Sequence, residues 1–143
     1  MTATIVDTSA ILALLDEAYP EHSAIAATVT DADGPLVVSP MITAESDYML
    51  HTRLGAEAAQ RFAADVVSEA YELAEWTVSD HAVALDVTRR FGAKDYTGIA
   101  DASNVVLADR YRTAFILTLD QRHFRRLRPL WGPDHFTLLP YDA

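Results

Sequence analysis

The sequence predicts an α/β protein: a three-layer α/β/α sandwich around a central, mainly parallel sheet, formed as one domain over residues 1–143. Three observations predict it. Short β-branched runs such as "ATIVD" and "AFILTLD" read as buried strands. Segments with apolar residues at helical spacing separate those runs, and such alternation implies parallel strands covered by helices on both faces. No low-complexity linker or internal repeat divides the chain, and its length suits a single substantial core.

The elements follow in order. "ATIVD" is a strand that stops on Asp7, and "TSAILALLDEAY" then takes helical spacing, with Thr8 or Ser9 as its cap. Pro20 breaks the chain before "EHSAIAATVTDA", a second helix stopped by Asp33, Gly34 and Pro35. "LVVS" is the second strand, and Pro40 suits the first turn of a helix over about 41–53. After Gly55, "AEAAQRFAADVVSEAYEL" reads as one long amphipathic helix with acids on its wet face. "EWTVSD" predicts a third strand, with Ser79 or Asp80 capping the helix "HAVALDVTRRF" that follows. "DYTGIADASNVVLADRYR" opens with turn residues and becomes helical near Ala100. "AFILTLD" is the clearest strand and ends on Asp120; "QRHFRRL" makes one or two helical turns, and "FTLLP" a last short strand.

Composition narrows the function. Hydrophobic residues make up 50% and charged residues 22%, the balance of a folded globular domain. No apolar run approaches the roughly 20 residues that cross a bilayer. "MTATIVD" has no basic segment ahead of an apolar one, so no export signal is expected, nor any membrane association. With no cysteine there is neither a disulfide framework nor a thiolate metal site, which agrees with a cytoplasmic location.

The net charge of -10 argues against a nucleic-acid partner until its distribution is considered. Residues 1–88 hold 15 acids and 2 bases, while residues 89–143 hold 6 acids and 9 bases. Arg110, Arg112, Arg122, Arg125, Arg126 and Arg128 cluster in the second part, either as a solvated face or as a basic edge on an acidic body.

Four acids carry the chemistry. Ligands of open parallel sheets bind beyond the carboxyl ends of the strands. Asp7 and Asp120 both follow strands, Glu45 lies in the first turns of the helix after the second strand, and Asp101 begins the helix before the Asp120 strand. Singly, each has a plainer role as a helix cap, a solvated residue or an acid favoured by a helix dipole. Together they can face one crevice, where mutual repulsion calls for a cation. Carboxylate oxygens favour Mg²⁺ or Mn²⁺ over zinc, which prefers His and Cys. His22, His51, His81 and His135 show no ligand spacing, and His123 lies close in sequence to Asp120 without a clear role.

"IVDTSAILALL", "VSPMITAESDYML", "GIADASNVVLADRY" and "ILTLDQRHFRRLRP" together resemble the four successive motifs of PIN-domain ribonucleases, in particular the VapC-type toxins of toxin–antitoxin pairs. The resemblance runs from end to end of the chain. It implies Mg²⁺- or Mn²⁺-dependent endonuclease cleavage of structured RNA, such as tRNA or ribosomal RNA, with neutralisation by a VapB-type antitoxin. Position by position, the family's catalytic and metal-holding acids fall on Asp7, Glu45, Asp101 and Asp120. Its hydroxyl positions fall on Thr8, Ser9 and Thr118, which are expected near the scissile phosphate unless they serve only as caps. Arg122, and Arg110 or Arg112, are candidates for flanking phosphates. Two departures stand out. Asp120 is followed by Gln121, Arg122 and His123 where relatives often place a second acid, and Asn104 replaces an aliphatic residue. Asn104 lies three residues beyond Asp101, on the same helix face, where it could hold a metal-bound water; it is counted with the candidate substrate-binding residues.

Other readings are weaker. A haloacid-dehalogenase-type phosphatase needs an acid two residues after the first, where this chain has Ser9, and a catalytic lysine, whereas Lys94 is its sole lysine. The alternative from another class is a catalytically silent PIN-like module that binds RNA or protein; four retained acids argue against it. Apolar residues in excess of one buried stripe, among them Leu15, Tyr19, Ile25, Tyr48, Met49, Phe62 and Val66, predict a groove for an antitoxin helix and a homodimer contact on the same layer.

Overall fold

The computed structural model describes all 143 residues. Five strands form one sheet: β1 (Thr4–Val6), β2 (Leu36–Val38), β3 (Glu72–Leu73), β4 (Phe115–Leu117) and β5 (Thr137–Leu139). Their order across the sheet is β3-β2-β1-β4-β5, and every pairing is parallel. Seven helices connect them: α1 (Thr8–Leu15), α2 (His22–Asp31), α3 (Pro40–Leu54), α4 (Ala56–Val67), α5 (Val78–Thr88), α6 (Ile99–Arg110) and α7 (Gln121–Phe124). The expected α/β/α sandwich is the architecture found.

Strand periodicity divides the core into two layers. Ile5, Val37, Ile116 and Leu138 point to one face, where they pack with Ala84 and Val87 of α5 and with Ala102, Val105 and Val106 of α6. Their neighbours Val6, Val38 and Leu117 point to the other face, against Ile11 of α1, Ile25 of α2, Ile42 and Leu50 of α3, and Phe62 of α4. Parallel register aligns Ile5 with Val37 and with Ile116, and Ile116 with Leu138, so one apolar row crosses the sheet. Each of these four residues has no solvent exposure, so both faces are covered, as parallel sheets require.

Several local expectations are corrected. Neither Thr8 nor Ser9 caps α1; Asp7 takes the cap position, yet its side chain makes no capping bond. That helix stops at Leu15 because Asp16 accepts the Ala18 N–H and turns the chain. The long helix expected after Gly55 ends at Val67, where Glu69 adopts a left-handed conformation (φ 65°) and its N–H returns to the Val66 carbonyl. The third strand is therefore Glu72–Leu73 and not the "EWTVSD" segment. Thr77, in place of Ser79 or Asp80, caps α5: its hydroxyl accepts the Asp80 N–H, while the Asp80 carboxylate accepts the Thr77 N–H, a reciprocal capping box.

The groove expectation is corrected in part. Ile25 and Phe62 belong to the core, with 0% and 2% exposure. Tyr48, by contrast, is 71% exposed on α3. No helix is long and apolar enough to cross a membrane.

Candidate active site

The chain runs outward from β1 through β2 to β3, then crosses back to β4 on the other side of β1. The gap between β1 and β4 is therefore the switch point where such sheets open a crevice. Asp7 follows β1 directly, and Thr118 follows β4. A cleft of about 420 Å³ lies there, lined by Asp7, Thr8, Ser9, Glu45, Asp101 and Asp120 together with Leu12, Tyr19, Met49, Arg53 and Leu119. All four acids singled out in the sequence meet in it. A larger hollow of about 710 Å³ runs along β3 and the end of α4, but eight of its twelve lining residues are hydrophobic and none of the four acids is among them.

Asp7 is nearly buried, at 4% exposure. Its Oδ2 accepts hydroxyl hydrogens from Ser9 (2.8 Å) and Thr118 (2.8 Å), and Oδ1 has only a long contact with the Asn104 amide (3.4 Å). Burial pushes its carboxyl above the ordinary range; the two hydroxyls oppose that, and Asp120 and Glu45 reinforce it. Asp101, in the first turn of α6, is pushed up to about 7, first by burial and then by the charges of Asp7 and Asp120. His123 partly offsets this rise. The cluster thus holds more negative charge than its surroundings can stabilise.

The hydroxyls have separate roles. Thr118 is fully buried; besides donating to Asp7, it accepts the Asp120 N–H at 2.9 Å. It therefore orients two acids and cannot itself touch a substrate. Ser9 donates to Asp7, lies 3.1 Å from Thr118 Oγ1 and accepts the Leu119 N–H, pinning the start of α1 to the segment after β4. Thr8 lines the cleft but is 4% exposed, and its oxygen faces the Ser46 hydroxyl at 3.4 Å. Asp120 both caps α7 through the His123 N–H and faces the cleft.

Two neighbours complete the site. His123, left without a role by the sequence, places Nδ1 2.7 Å from Asp120 Oδ2 and 3.9 Å from Asp101 Oδ2. One ligand atom from each of Asp101, Asp120 and His123 lies within 4.8 Å of the others. The signal that would have found it is spacing: residues three apart in one helical turn share a face. Asn104 is completely buried beside Asp7, and its Oδ1 has no hydrogen-bond partner. Arg122 is exposed and lies outside the cleft lining.

This donor set fits a divalent cation. Carboxyls driven above their normal range by burial and by one another, together with an unpartnered buried amide oxygen beside them, are what a missing positive charge would relieve.

The comparisons with known proteins agree with the geometry. The family model of the PIN domain matches residues 4–129. Ribonuclease VapC26 of Mycobacterium tuberculosis is 44% identical over 136 residues, covering 95% of this chain and 99% of that protein. The chain belongs to the PIN-domain family, among the VapC ribonucleases. Solved structures share the fold at lower identity. The crystal structure of VapC20 from Mycobacterium tuberculosis, a sarcin–ricin loop cleaving toxin, matches with a TM-score of 0.76 and 18% identity, over 83% of this chain and 91% of that one. VapBC2 from Rickettsia felis, bound to a DNA fragment from its promoter, matches with a TM-score of 0.65 and 14% identity, over 92% of this chain and all of that one.

Proposed function

We propose that this protein is the toxin of a toxin–antitoxin pair: an endoribonuclease dependent on Mg²⁺ or Mn²⁺ that hydrolyses phosphodiester bonds of a structured RNA and is neutralised by a VapB-type antitoxin. The observation that carries the reading is the convergence of Asp7, Glu45, Asp101 and Asp120 in one cleft at the sheet's switch point. The kinship with VapC26 supports the nuclease reading, and that with VapBC2 the partner.

Asp7, Asp101 and Asp120 would hold the cation, with Glu45 completing the cup. When bound, a divalent cation neutralises phosphate charge and makes water more acidic. The protein's own residues do the rest. Ser9 and Thr118 donate to Asp7 Oδ2 and leave Oδ1 turned toward Asn104, which fixes the carboxylate's orientation. The Asp120 N–H bonded to Thr118 locks the opposite wall. Glu45, the most exposed of the four acids, faces the cleft from α3 and is placed to orient an attacking water and take its proton. The cut would fall in a loop or other single-stranded segment, the part of a structured RNA whose bases are free to be recognised.

The antitoxin would lay an amphipathic helix on the α3–α4 side. Exposed Tyr48 and Leu54 and a hollow lined by Leu15, Leu54 and Ala58 offer it apolar surface. A homodimer contact on the same helical layer is part of this reading.

Asp7→Asn tests the nuclease. It removes charge at constant size, and losing about 4 kcal/mol of barrier lowering corresponds to a roughly thousandfold drop in cleavage. Cleavage retained by the variant with Mn²⁺ would remove Asp7 from the mechanism. Sequencing of new RNA 5′ ends after brief expression identifies the target. Co-expression with the gene immediately upstream should give a stable complex without nuclease activity.

A further inference from the structure

We propose that Arg53 and Tyr19, with Met49 between them and the acids, form a subsite for a nucleotide flanking the scissile phosphate of a single-stranded RNA segment. The proposal rests on the RNA-cleaving reading above and adds to it the residues that hold the strand.

Helical spacing sets the geometry. Glu45, Met49 and Arg53 are four residues apart on α3, so they form one stripe on one face, and all three line the cleft. Eight residues of helix carry that stripe about 12 Å from the catalytic acid, a distance a nucleic-acid strand covers in a few nucleotides. Leu12 and Tyr19 form the facing wall. The stripe thus passes from a carboxylate through an apolar stretch to a guanidinium, matching in turn a scissile phosphate with its cation, a base and a second phosphate.

Charge singles out Arg53. It is the sole basic side chain among the residues lining the cleft. It is exposed and enters none of the protein's ion pairs, although the cleft holds four acids. Its one hydrogen bond is donated by Nη1 to the Tyr19 hydroxyl at 2.8 Å. That bond ties the two walls together and leaves the remaining guanidinium hydrogens for a phosphate, whose oxygens match the fork of donors.

Of the arginines that stand out in the sequence, all but Arg122, which is exposed and lies outside the cleft lining, are otherwise engaged. Arg110 pairs with Asp80, Arg112 with Asp109 and Arg125 with Asp142. Arg126 donates to the Asp95 carbonyl and lies over the Phe91 ring, and Arg128 donates to the Asp134 carbonyl. Other cations, such as Arg61, Arg89, Arg90, Lys94 and Arg122, also enter no ion pair, but Arg53 is the one that lines the cleft. Half-buried Tyr19, held by Arg53, offers an aromatic face of the kind on which unpaired bases stack regardless of sequence.

Binding to a catalytically silent Asp7→Asn protein tests this without relying on cleavage. A short fluorescein-labelled single-stranded oligoribonucleotide of mixed sequence is titrated at several salt concentrations. Adding Arg53→Ala should weaken binding about tenfold and reduce the salt slope by about 0.7, the contribution of one single-strand phosphate contact. Adding Tyr19→Ala should weaken it roughly 5- to 150-fold, as loss of one base–aromatic stack does, while Tyr19→Phe keeps most of the affinity. In the active protein, Arg53→Ala should raise KM far more than it lowers kcat, with the Mn²⁺-dependent rise in melting temperature unchanged.

Three results would overturn the subsite. One is no RNA binding by the Asp7→Asn protein, or binding indifferent to Arg53. Another is loss of the Mn²⁺ effect in Arg53→Ala, which would make Arg53 a partner of the acids instead of the strand. The third is unchanged RNA binding with escape from antitoxin, which would assign the pair to the protein partner. Arg53-dependent RNA binding by a wild-type protein that cuts no RNA would leave the subsite standing and refute the nuclease.

Discussion

Replacing Asp101 by Asn should stabilise the metal-free protein, and do so only at neutral and alkaline pH. The Asp101 carboxyl is raised from 3.8 to about 7, by burial first and then by Asp7, Asp120 and Glu45, with His123 opposing. Between those two values the native state holds a proton that the unfolded chain has released. Wild-type stability therefore falls as pH rises from about 4 through 7, and the whole penalty is present above 7. At about 1.4 kcal/mol for each tenfold change in proton affinity, that penalty is about 4 kcal/mol. Asn keeps the shape and removes the charge, at the cost of burying a neutral amide, so a net gain of about 2–4 kcal/mol is expected near pH 8. For a chain of this size that is a rise of roughly 5–15 °C in melting temperature. Near pH 4 the wild type is already neutral at this position and the two proteins should melt together. The assay is urea unfolding of EDTA-treated protein across the pH range, with the slope checked for constancy. A variant no more stable than its parent near pH 8, or equally stabilised near pH 4, would refute the claim that the acids destabilise one another.

Other outcomes follow from the same contacts. Mn²⁺ should raise the wild-type melting temperature with concentration, by about 2.7 kcal/mol of stability at a hundred times its Kd, and Asp101→Asn should abolish most of that rise in a thermal scan. Thr118→Val leaves the half-buried Asp120 N–H and one side of buried Asp7 without a partner. It should cost about 1–3 kcal/mol in urea unfolding and weaken Mn²⁺ binding measured by calorimetry. At Gly34 an added Cβ would lie 2.1 Å from the Thr2 carbonyl oxygen, backbone that cannot swing aside. Gly34→Ala should therefore destabilise by at least about 1–3 kcal/mol, seen as a lower urea midpoint; an unchanged midpoint would mean the N-terminal strand is free to shift.

The fold and the acids were legible in the sequence because each is written locally. Buried parallel strands leave β-branched runs, and "TIVD" and "FILTLD" place an acid where such a run stops. The third strand was not legible, because it is a two-residue edge strand with both side chains exposed and so carries no apolar signal. The apolar letters that mimicked it have other uses: Trp76 packs against the core beside α5, and Val78 is 88% exposed in that helix's first turn. The Thr77–Asp80 capping box was written there, a stronger mark of a helix start than the β-branched residues were of a strand. Hydroxyl roles were illegible for a different reason. A Ser or Thr beside an acid reads equally as a cap or as an orienting donor. What decides for Thr118 is its contact with Asp7, 111 residues away in the chain.

Charge also has to be judged locally to reconcile a net charge of -10 with an RNA partner. The steering field of the basic stretch from Arg110 to Arg128 is weakened, because three of its six arginines are paired with Asp80, Asp109 and Asp142. In the last of these pairs Arg125 holds the Asp142 carboxyl at about 2, so the pair stays ionised throughout the physiological range. These arginines brace the fold instead: they fasten α6 to the start of α5, and α7 to the C-terminal end of the chain. Within the cleft, the cation that the acids are proposed to hold and the unpaired Arg53 would be the positive charges that meet phosphate. On the proposed reading such a protein would discriminate by fit more than by long-range attraction: duplex and non-specific RNA would meet an acidic surface, whereas a strand that threads a nucleotide between α1 and α3 would reach a compensating charge.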